Sequence, residues 1–244
     1  MTVNIYKDYH ALSEAAANEI IELIKNKPDA VLCLASGDTP RLTCKLFTEK
    51  ALQEKTDLTR ITFIGLDEWV GIPPENAGSC HYFFQHEVFE PLHLSAGQIN
   101  LFDAMSTNLE RECQKIDKIV FDNNGIDLMI VGIGMNGHIG FNEPGVSFDN
   151  YSHVIELDNT TVTVGQKYFK TAVNLGKGIT LGLKHLQESK KVLLIANGTK
   201  KADVIKKTVE EKITNSFPAS IMQKHLNGFI MVDEEAAGLL NRKN

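Results

Sequence analysis

Short runs of apolar residues recur along the chain, and longer amphipathic segments separate them. The apolar runs have the composition of buried strands and lie at residues 30–35, 61–66, 126–131, 191–196 and 229–232. Apolar residues at helical spacing predict helices over residues 9–27, 110–123 and 200–212. Apolar strands that alternate with helices indicate an α/β fold. We expect a single domain over residues 1–244: an open, doubly wound, mostly parallel sheet with helices on both faces, as in a Rossmann-like three-layer sandwich.

Small, polar and ionisable residues follow four of these strands directly, in segments 36–40, 67–69, 132–145 and 197–201. Ligands bind to such sheets beyond the carboxyl ends of the strands. One such strand end means little, but four predict a common site. The segment 132–145, Gly-Ile-Gly-Met-Asn-Gly-His-Ile-Gly-Phe-Asn-Glu-Pro-Gly, is the most informative, because its glycines let the backbone approach a ligand closely.

Composition and charge narrow the classes of partner. The chain has 244 residues and a formal net charge of −6. That charge argues against nucleic acid as the main partner, but helix N-termini can bind a small anion on an acidic protein. No apolar run approaches the roughly 20 residues that cross a bilayer, and the N-terminus lacks the pattern of a signal peptide. We therefore expect no membrane partner and a cytoplasmic location.

No pattern of cysteine or histidine predicts a metal site. The four cysteines form no C-x-x-C pair and have no zinc-ligand spacing. Cys33 lies within an apolar run and is interpreted as a small buried hydrophobe. Six histidines outside the glycine-rich segment are interpreted as surface or packing residues: His81, His86, His93, His153, His185 and His225.

The segment Ser-Gly-Asp-Thr-Pro at 36–40 has the composition of a phosphate-binding loop. Hydroxyls and free backbone N–H groups at a helix N-terminus suit a phosphate. An ordinary turn accounts for the same residues, with Thr39 as N-cap and Pro40 at the first helical position. Asp38 would repel a phosphate unless its carboxylate points away. A second loop of this type, 197–201, offers Lys200 or Lys201 as countercharge or, equally, as a solvated pair.

Three ionisable residues at the strand ends are candidates for proton transfer. Asp67 follows a buried strand directly, where a partly desolvated carboxylate is well placed as a general base. Its neighbour Glu68 shares that position, and either carboxylate could instead cap a helix or a turn. His138 and Glu143, in the glycine-rich segment, can move protons near neutral pH. Trp69 either lines the site or packs in the core.

The glycine-rich segment also matches the dinucleotide-binding fingerprint in form. Gly-x-Gly-x-x-Gly over 132–137 follows a predicted strand, and Glu156 lies roughly where a ribose-binding acid is expected. The fingerprint requires a helix to begin within it, however, and Gly140, Pro144 and Gly145 would interrupt one. We therefore do not interpret this segment as a nucleotide site.

Three motifs resemble those of the glucosamine-6-phosphate deaminases, which share a fold superfamily with the 6-phosphogluconolactonases. They are Leu-Asp-Glu-Trp-Val-Gly-Ile-Pro at 66–73, the glycine-rich segment 132–145, and the loop 36–40. The likeness extends in order over nearly the whole chain. Phe-Asn-Glu-Pro at 141–144 favours the deaminases over the lactonases. Segments 27–35, 178–184 and 218–220 look like the galactosamine-6-phosphate deaminase/isomerase branch.

The resemblance implies a reaction without metal or organic cofactor, on a cyclic 2-amino-2-deoxyhexose 6-phosphate. His138, oriented by Glu143 and Asn136, would open the sugar ring. Asp67 would move a proton from C2 to C1 through a cis-enolamine, and hydrolysis of the imine would release ammonia and a ketohexose 6-phosphate. The implied substrate-binding residues are Ser36, Gly37, Asp38, Thr39, Gly134, Lys201 and, from a lid at about 145–175, Lys167.

The chain departs from the family pattern at three places. Asn136 replaces an aspartate, and an amide can orient an imidazole but cannot stabilise its cation by charge. Asp38 replaces a glycine in the phosphate loop. His153 and Ile155 lie where the hexameric enzymes carry the Arg and Lys of an allosteric site, so we expect no activation by an N-acetylhexosamine 6-phosphate.

Two other functions stay open beside the deaminase. One is a sugar-lactone hydrolase of the same fold, and the other is a non-catalytic sugar-phosphate sensor, although the chain has no basic patch for DNA. In every case the expected partner is a small sugar phosphate. Neither the gluco or galacto preference nor a monomeric or homo-oligomeric state follows from the sequence.

Overall fold

Strands and helices alternate along the chain in a computed structural model that describes residues 1–241. The strands are β1 (Thr2–Tyr6), β2 (Val31–Leu34), β3 (Thr62–Gly65), β4 (Asp67–Trp69), β5 (Ile99–Asn100), β6 (Leu128–Val131), β7 (His153–Glu156), β8 (Lys177–Thr180), β9 (Val192–Ala196) and β10 (Gly228–Asp233). The α-helices are α1 (Tyr9–Asn26), α2 (Asp38–Glu54), α3 (Cys80–Phe84), α4 (Leu109–Asp122), α5 (Asn159–Gly165), α6 (Leu183–Glu188) and α7 (Ala202–Glu210).

Seven of the strands form one parallel sheet in the order β1-β10-β9-β6-β2-β3-β5. The five strands that the sequence predicts all lie in it, and the predicted fold class is confirmed. The chain builds outward from β2 through β3 to β5, and then returns to the other side of β2 as β6. The loops that leave β2 and β6 therefore flank the point where the strand order reverses, which is where such sheets bind ligands.

The apolar strands bury both of their faces, because successive side chains point to opposite sides of the sheet. Along β6, for example, Met129 and Val131 pack into one hydrophobic core, and Leu128 and Ile130 into the other. Helices α4 and α7 contribute to the first core, and α1, α2 and α3 to the second. This is the three-layer arrangement expected from continuous apolar strands.

A second, antiparallel sheet of order β4-β8-β7 lies beyond the carboxyl end of β3. The sequence pattern did not predict it, nor the edge strands β1 and β5, because these strands mix polar with apolar residues. The small sheet matters for function since Asp67 opens β4, where it pairs with Thr180 of β8.

None of the helices described over residues 1–241 has both the length and the apolar composition to cross a membrane.

Candidate active site

The loop after β2 leads directly into α2 and exposes the N-terminus of that helix. Gly37 is the N-cap and has a φ of 106°, a conformation that L side chains rarely adopt. No side chain caps the helix, so the expectation that Thr39 is the N-cap is wrong. The Thr39 hydroxyl instead donates to Oδ1 of Asn197, 2.8 Å away, and so ties this loop to the one after β9. The free N–H groups suit an anion.

Two lysines and an aspartate surround this helix N-terminus. Nζ of Lys167 lies 2.6 Å from Oδ2 of Asp38, so the carboxylate that looked unfavourable for phosphate is paired with a cation. Nζ of Lys201 donates to the carbonyl of Ile133 at 2.6 Å. Burial and the nearby Lys167 ammonium lower the pKa of Lys201 to about 8. Lys200, the alternative countercharge, is exposed.

Asp67 lies at the first position of β4, partly exposed at the carboxyl edge of the main sheet. Its deep setting and the adjacent Glu68 carboxylate raise the pKa of Asp67 to about 7. Oδ1 of Asp67 is 3.6 Å from Sγ of Cys80, which acts as a weak donor. A carboxylate tuned this close to neutrality is suited to take and return a proton.

Glu68 points the opposite way from Asp67 and is almost fully buried. Its oxygens accept hydrogen bonds from the backbone N–H groups of Trp69, Cys80 and His81, at 2.9, 3.0 and 2.8 Å. Burial raises the pKa of Glu68, and these donors oppose the rise. Glu68 thus caps the N-terminus of α3 and ties that helix to β4, which is the helix-cap alternative.

The glycine-rich segment presents His138 with its ring nitrogen close to two acceptors. Nδ1 is 3.4 Å from Oε2 of Glu143 and 3.0 Å from the hydroxyl of Thr161. Burial acts to raise the pKa of Glu143, but its bond to His138 and the attraction between them leave that pKa below its ordinary value. Asn136 donates from Nδ2 to Oε2 of Glu143 at 2.8 Å and accepts from the backbone N–H of His138 at 3.2 Å. The amide therefore positions Glu143 and does not contact the imidazole, contrary to expectation.

Gly134 is required by the packing of the His138 ring. A Cβ at this position would lie 2.4 Å from Nε2 of His138, a distance that no side chain can tolerate. The backbone N–H of Gly134 also donates to the carbonyl of His138 at 2.9 Å. The absence of a side chain thus lets the loop fold back beneath its own histidine.

Two contacts bring these groups to one edge of the fold. Oγ1 of Thr180, the strand partner of Asp67, accepts from the backbone N–H of Phe141 at 3.2 Å and so joins β4 and β8 to the glycine-rich segment. The Lys201–Ile133 bond joins the same segment to the loop after β9, which the Thr39–Asn197 bond ties to the anion loop, residues 36–40. The structure therefore brings together the residues predicted at the four strand ends.

Several other candidates fall outside this edge or serve the core. Trp69 packs against Phe141 with ring centroids 4.5 Å apart, so of its two predicted roles the structure shows packing in the core. His185 and His225 are buried packing residues, and His185 lies 2.7 Å from Oδ1 of Asp117. Within residues 1–241 no three His, Cys, Asp or Glu side chains are grouped to hold a metal ion.

Two supporting residues of the site were not predicted from the sequence: Cys80 and Thr161. Each reaches the site from an element whose position the sequence does not reveal. Thr161 lies on α5, within the segment expected to be a lid, and no pattern distinguishes its hydroxyl from those of its neighbours Thr160 and Thr163.

The fold and these side chains define a doubly wound α/β protein with an acid–base site and an anion loop at its switch point. Residues 7–230 match the family described as glucosamine-6-phosphate isomerases/6-phosphogluconolactonase. The chain belongs to this family, which confirms the resemblance.

Relatives and solved structures agree with that membership. A glucosamine-6-phosphate deaminase from Clostridium botulinum (strain Loch Maree / Type A3) is 36% identical over 100% of both chains. The structure of a monomeric glucosamine-6-phosphate deaminase superposes with a TM-score of 0.94 at 34% identity, covering 98% of this chain and 100% of that one. A 6-phosphogluconolactonase from Trypanosoma brucei has a TM-score of 0.79 at 16% identity, with 98% of each chain covered, and shares the fold alone.

Proposed function

We propose that this chain is an isomerising hexosamine-6-phosphate deaminase. It converts a 2-amino-2-deoxyhexose 6-phosphate and water into a ketohexose 6-phosphate and ammonia. One observation carries the proposal: two groups suited to proton transfer lie at the same edge of the sheet. They are Asp67, with a pKa of about 7, and His138 beside Glu143. The loop that precedes α2 is linked to Asp67 through Ser36 and Cys80. The names of the full-length relatives support the same reaction.

The substrate phosphate binds at the N-terminus of α2, on the loop formed by Ser36, Gly37, Asp38 and Thr39. The helix dipole and free N–H groups favour the dianion, and Lys201 and Lys167 supply positive charge. Lys167 comes from the lid segment 145–175, which reaches the loop through its ion pair with Asp38. Binding the phosphate there directs the sugar ring towards the glycine-rich segment, which carries His138.

His138 opens the ring. It takes the proton of the anomeric hydroxyl and returns a proton to the ring oxygen, so that the hemiacetal becomes a free aldehyde and a hydroxyl group. Glu143 stabilises the imidazolium that forms between these two transfers, because an ionised carboxylate near Nδ1 favours the cation. Asn136 keeps Glu143 in place.

Asp67 then isomerises the open chain. Its carboxylate removes the C2 proton, which the neighbouring carbonyl makes acidic, and the ammonium group of the substrate passes one proton to O1, so that a cis-enolamine forms. The same carboxyl returns the proton to C1, and the enolamine becomes a C2 imine. Water adds to the imine carbon to give a carbinolamine. The carbinolamine hydroxyl then loses its proton to the nitrogen, which leaves as ammonia, and C2 becomes the ketone. A pKa of about 7 suits both halves of this transfer, since the group must accept and release a proton near neutrality.

Ammonia release tests the assignment directly. Purified protein is assayed with glucosamine 6-phosphate and with galactosamine 6-phosphate, and the ratio of kcat/KM for the two epimers also tests the galacto branch. Asp67→Asn should lower kcat by about 100-fold or more, whereas Asp122→Asn, on an exposed pair with Lys118, should not. Absence of ammonia from both substrates, or full turnover by Asp67→Asn, would overturn the proposal. Hydrolysis of 6-phosphogluconolactone would identify the lactonase instead.

A further inference from the structure

The buried thiol of Cys80 lies between two polar side chains of the proposed site. Its Sγ is 3.0 Å from Oγ of Ser36, in the anion loop, and 3.6 Å from Oδ1 of Asp67, the proposed base. Only 6% of the residue is exposed. The Ser36 hydroxyl donates to sulfur and the thiol donates to the carboxylate. Two consecutive hydrogen bonds therefore connect the anion loop to the base, from Ser36 to Cys80 and from Cys80 to Asp67.

The backbone of Cys80 is fixed independently of these contacts. Cys80 is the first residue of α3, and Oγ of Ser79 caps that helix by accepting from the N–H of Tyr82 at 2.9 Å. The buried Glu68 carboxylate accepts from the N–H groups of Cys80 and His81. Because Glu68 is the neighbour of Asp67 in β4, the thiol and the base are attached to the same short strand.

The geometry points to Cys80 as a positioning residue for the Asp67 carboxylate, a role that rests on the deamination proposed above. The thiol holds Oδ1 in one orientation and leaves Oδ2 to take the proton from the substrate. Through Ser36 the same thiol links the rotamer of the base to the loop that binds the phosphate. A donor at this place also favours the ionised carboxylate, which is the form that starts the reaction.

The charges around Asp67 agree with a neutral thiol donor. The ionisable groups that face it are Glu68 on its own strand, Cys80 on α3 and Cys33 on β2. Burial, with the carboxylates of Glu68 and Asp67, raises the pKa of the Cys80 thiol well above its usual range. Burial likewise raises the pKa of Cys33. Both thiols stay protonated near neutral pH, so Cys80 donates a hydrogen bond and does not act as a nucleophile.

The pH dependence of kcat/KM separates this role from simple packing. Cys80→Ala removes the donor and so raises the pKa of Asp67. The acidic limb of the profile should shift to higher pH by about half a unit, a shift consistent with a weak thiol hydrogen bond. At neutral pH kcat should fall about threefold to fivefold, with little change in KM. Cys80→Ser keeps a donor and should hold the limb at or below its wild-type position. Cys113→Ala, a buried cysteine on α4, is the matched control and should leave the profile unchanged.

A Cys80→Ala profile that superimposes on that of wild type would overturn the inference. An acidic limb of Cys80→Ser that lies at higher pH than that of wild type would also overturn it. If the alanine variant does not fold, the serine variant alone decides by the direction of its shift. Failure of the parent proposal looks different, since the wild-type protein would then release no ammonia or Asp67→Asn would stay active. If the protein is an active deaminase and substitution of Cys80 does not shift its acidic limb, only the positioning role of the thiol is wrong.

Discussion

The hydroxyl of Thr161 lies 3.0 Å from Nδ1 of His138, closer than the carboxylate of Glu143 at 3.4 Å from the same nitrogen. Thr161 is buried on α5, within segment 145–175. The proposed lid therefore contributes a polar group to the proposed ring-opening histidine as well as Lys167 to the phosphate loop. The proposed ring-opening group and the proposed phosphate site therefore both depend on the position of this segment.

Replacing Thr161 with valine keeps the shape of the side chain and removes the hydroxyl. We expect kcat to fall about fivefold, the equivalent of one net hydrogen bond of about 1 kcal/mol. KM should change little, because the hydroxyl does not lie at the anion loop. Steady-state ammonia release measures both constants. Thr160→Val, at the exposed neighbouring position, is the control, and equal kcat values for the two variants would contradict the role of Thr161.

Asp38 competes with the substrate phosphate for Lys167, with which it forms a 2.6 Å ion pair. Asp38→Asn should therefore lower KM about threefold and strengthen inhibition by inorganic phosphate, with kcat unchanged. The effect is small because both side chains are largely exposed, and exposed pairs contribute at most about 1 kcal/mol. Asp203→Asn breaks an exposed pair with Lys207 on α7 and serves as control. A higher KM in Asp38→Asn would mean that the carboxylate instead positions the lysine.

The five inner strands of the main sheet were predictable because they are buried on both faces and so are almost entirely apolar. The small sheet was not, since β4 and β7 mix polar with apolar residues and include partly exposed positions. The start of α2 illustrates a second limit. Proline after threonine suggested a capped turn, yet a glycine with positive φ precedes the helix, which begins at Asp38 and leaves its N-terminus open for an anion.

The candidate site was predictable only as the place of Asp67 and His138, which lie in segments that follow apolar strands. Its supporting contacts were not, because they join segments far apart in the chain. The Ser36–Cys80 contact spans 44 residues and the Thr161–His138 contact spans 23. Asn136 shows that even a neighbour can mislead: its amide bonds to Glu143 and not to the ring. Sequence spacing alone does not give the direction in which a side chain points.

Lys201 should make substrate binding sensitive to alkaline pH. Its pKa is lowered to about 8, chiefly by burial, so the ammonium is lost as the pH rises through that value. KM for the sugar phosphate should accordingly rise above about pH 8, while kcat changes less. Lys201→Arg keeps its charge at those pH values and should flatten the rise. A wild-type KM that is constant up to about pH 9.5 would contradict this use of Lys201.

An N-acetylhexosamine 6-phosphate should not activate the protein. The resemblance places His153 and Ile155, in the segment after Glu143, where the cationic residues of an allosteric site would be expected. The His153 ring is occupied by a 2.8 Å contact between its Nδ1 and the carbonyl of Tyr151, and burial lowers the pKa of this histidine, so it offers no fixed positive charge. Initial rates plotted against substrate should be hyperbolic and unchanged by the effector. A curve that sharpens or shifts to lower substrate concentration on its addition would refute the prediction.

The raised pKa of Asp67 should lower the free energy of unfolding at neutral pH. In the unfolded chain an aspartate ionises near pH 3.9, whereas Asp67 in the fold has a pKa of about 7. Below about pH 4 the carboxyl is neutral in both states, and above about pH 7 the fold must hold a charge that it disfavours. Asp67→Asn lacks that charge. Its free energy of unfolding should equal that of wild type at low pH, exceed it increasingly between about pH 4 and 7, and keep the advantage at higher pH.

The full shift corresponds to about 4 kcal/mol, and contact of Asp67 with solvent reduces the expected gain to about 2 kcal/mol at pH 8. Urea unfolding at a series of pH values measures it. Glu143→Gln is the control of opposite sign, because His138 lowers the pKa of Glu143, and the stability that this confers is present above the ordinary glutamate pKa. That variant should lose stability at neutral pH where Asp67→Asn gains it. If both variants lost stability at pH 8, Asp67 would be an ordinary structural carboxylate and not a base held near neutrality at a cost to the fold.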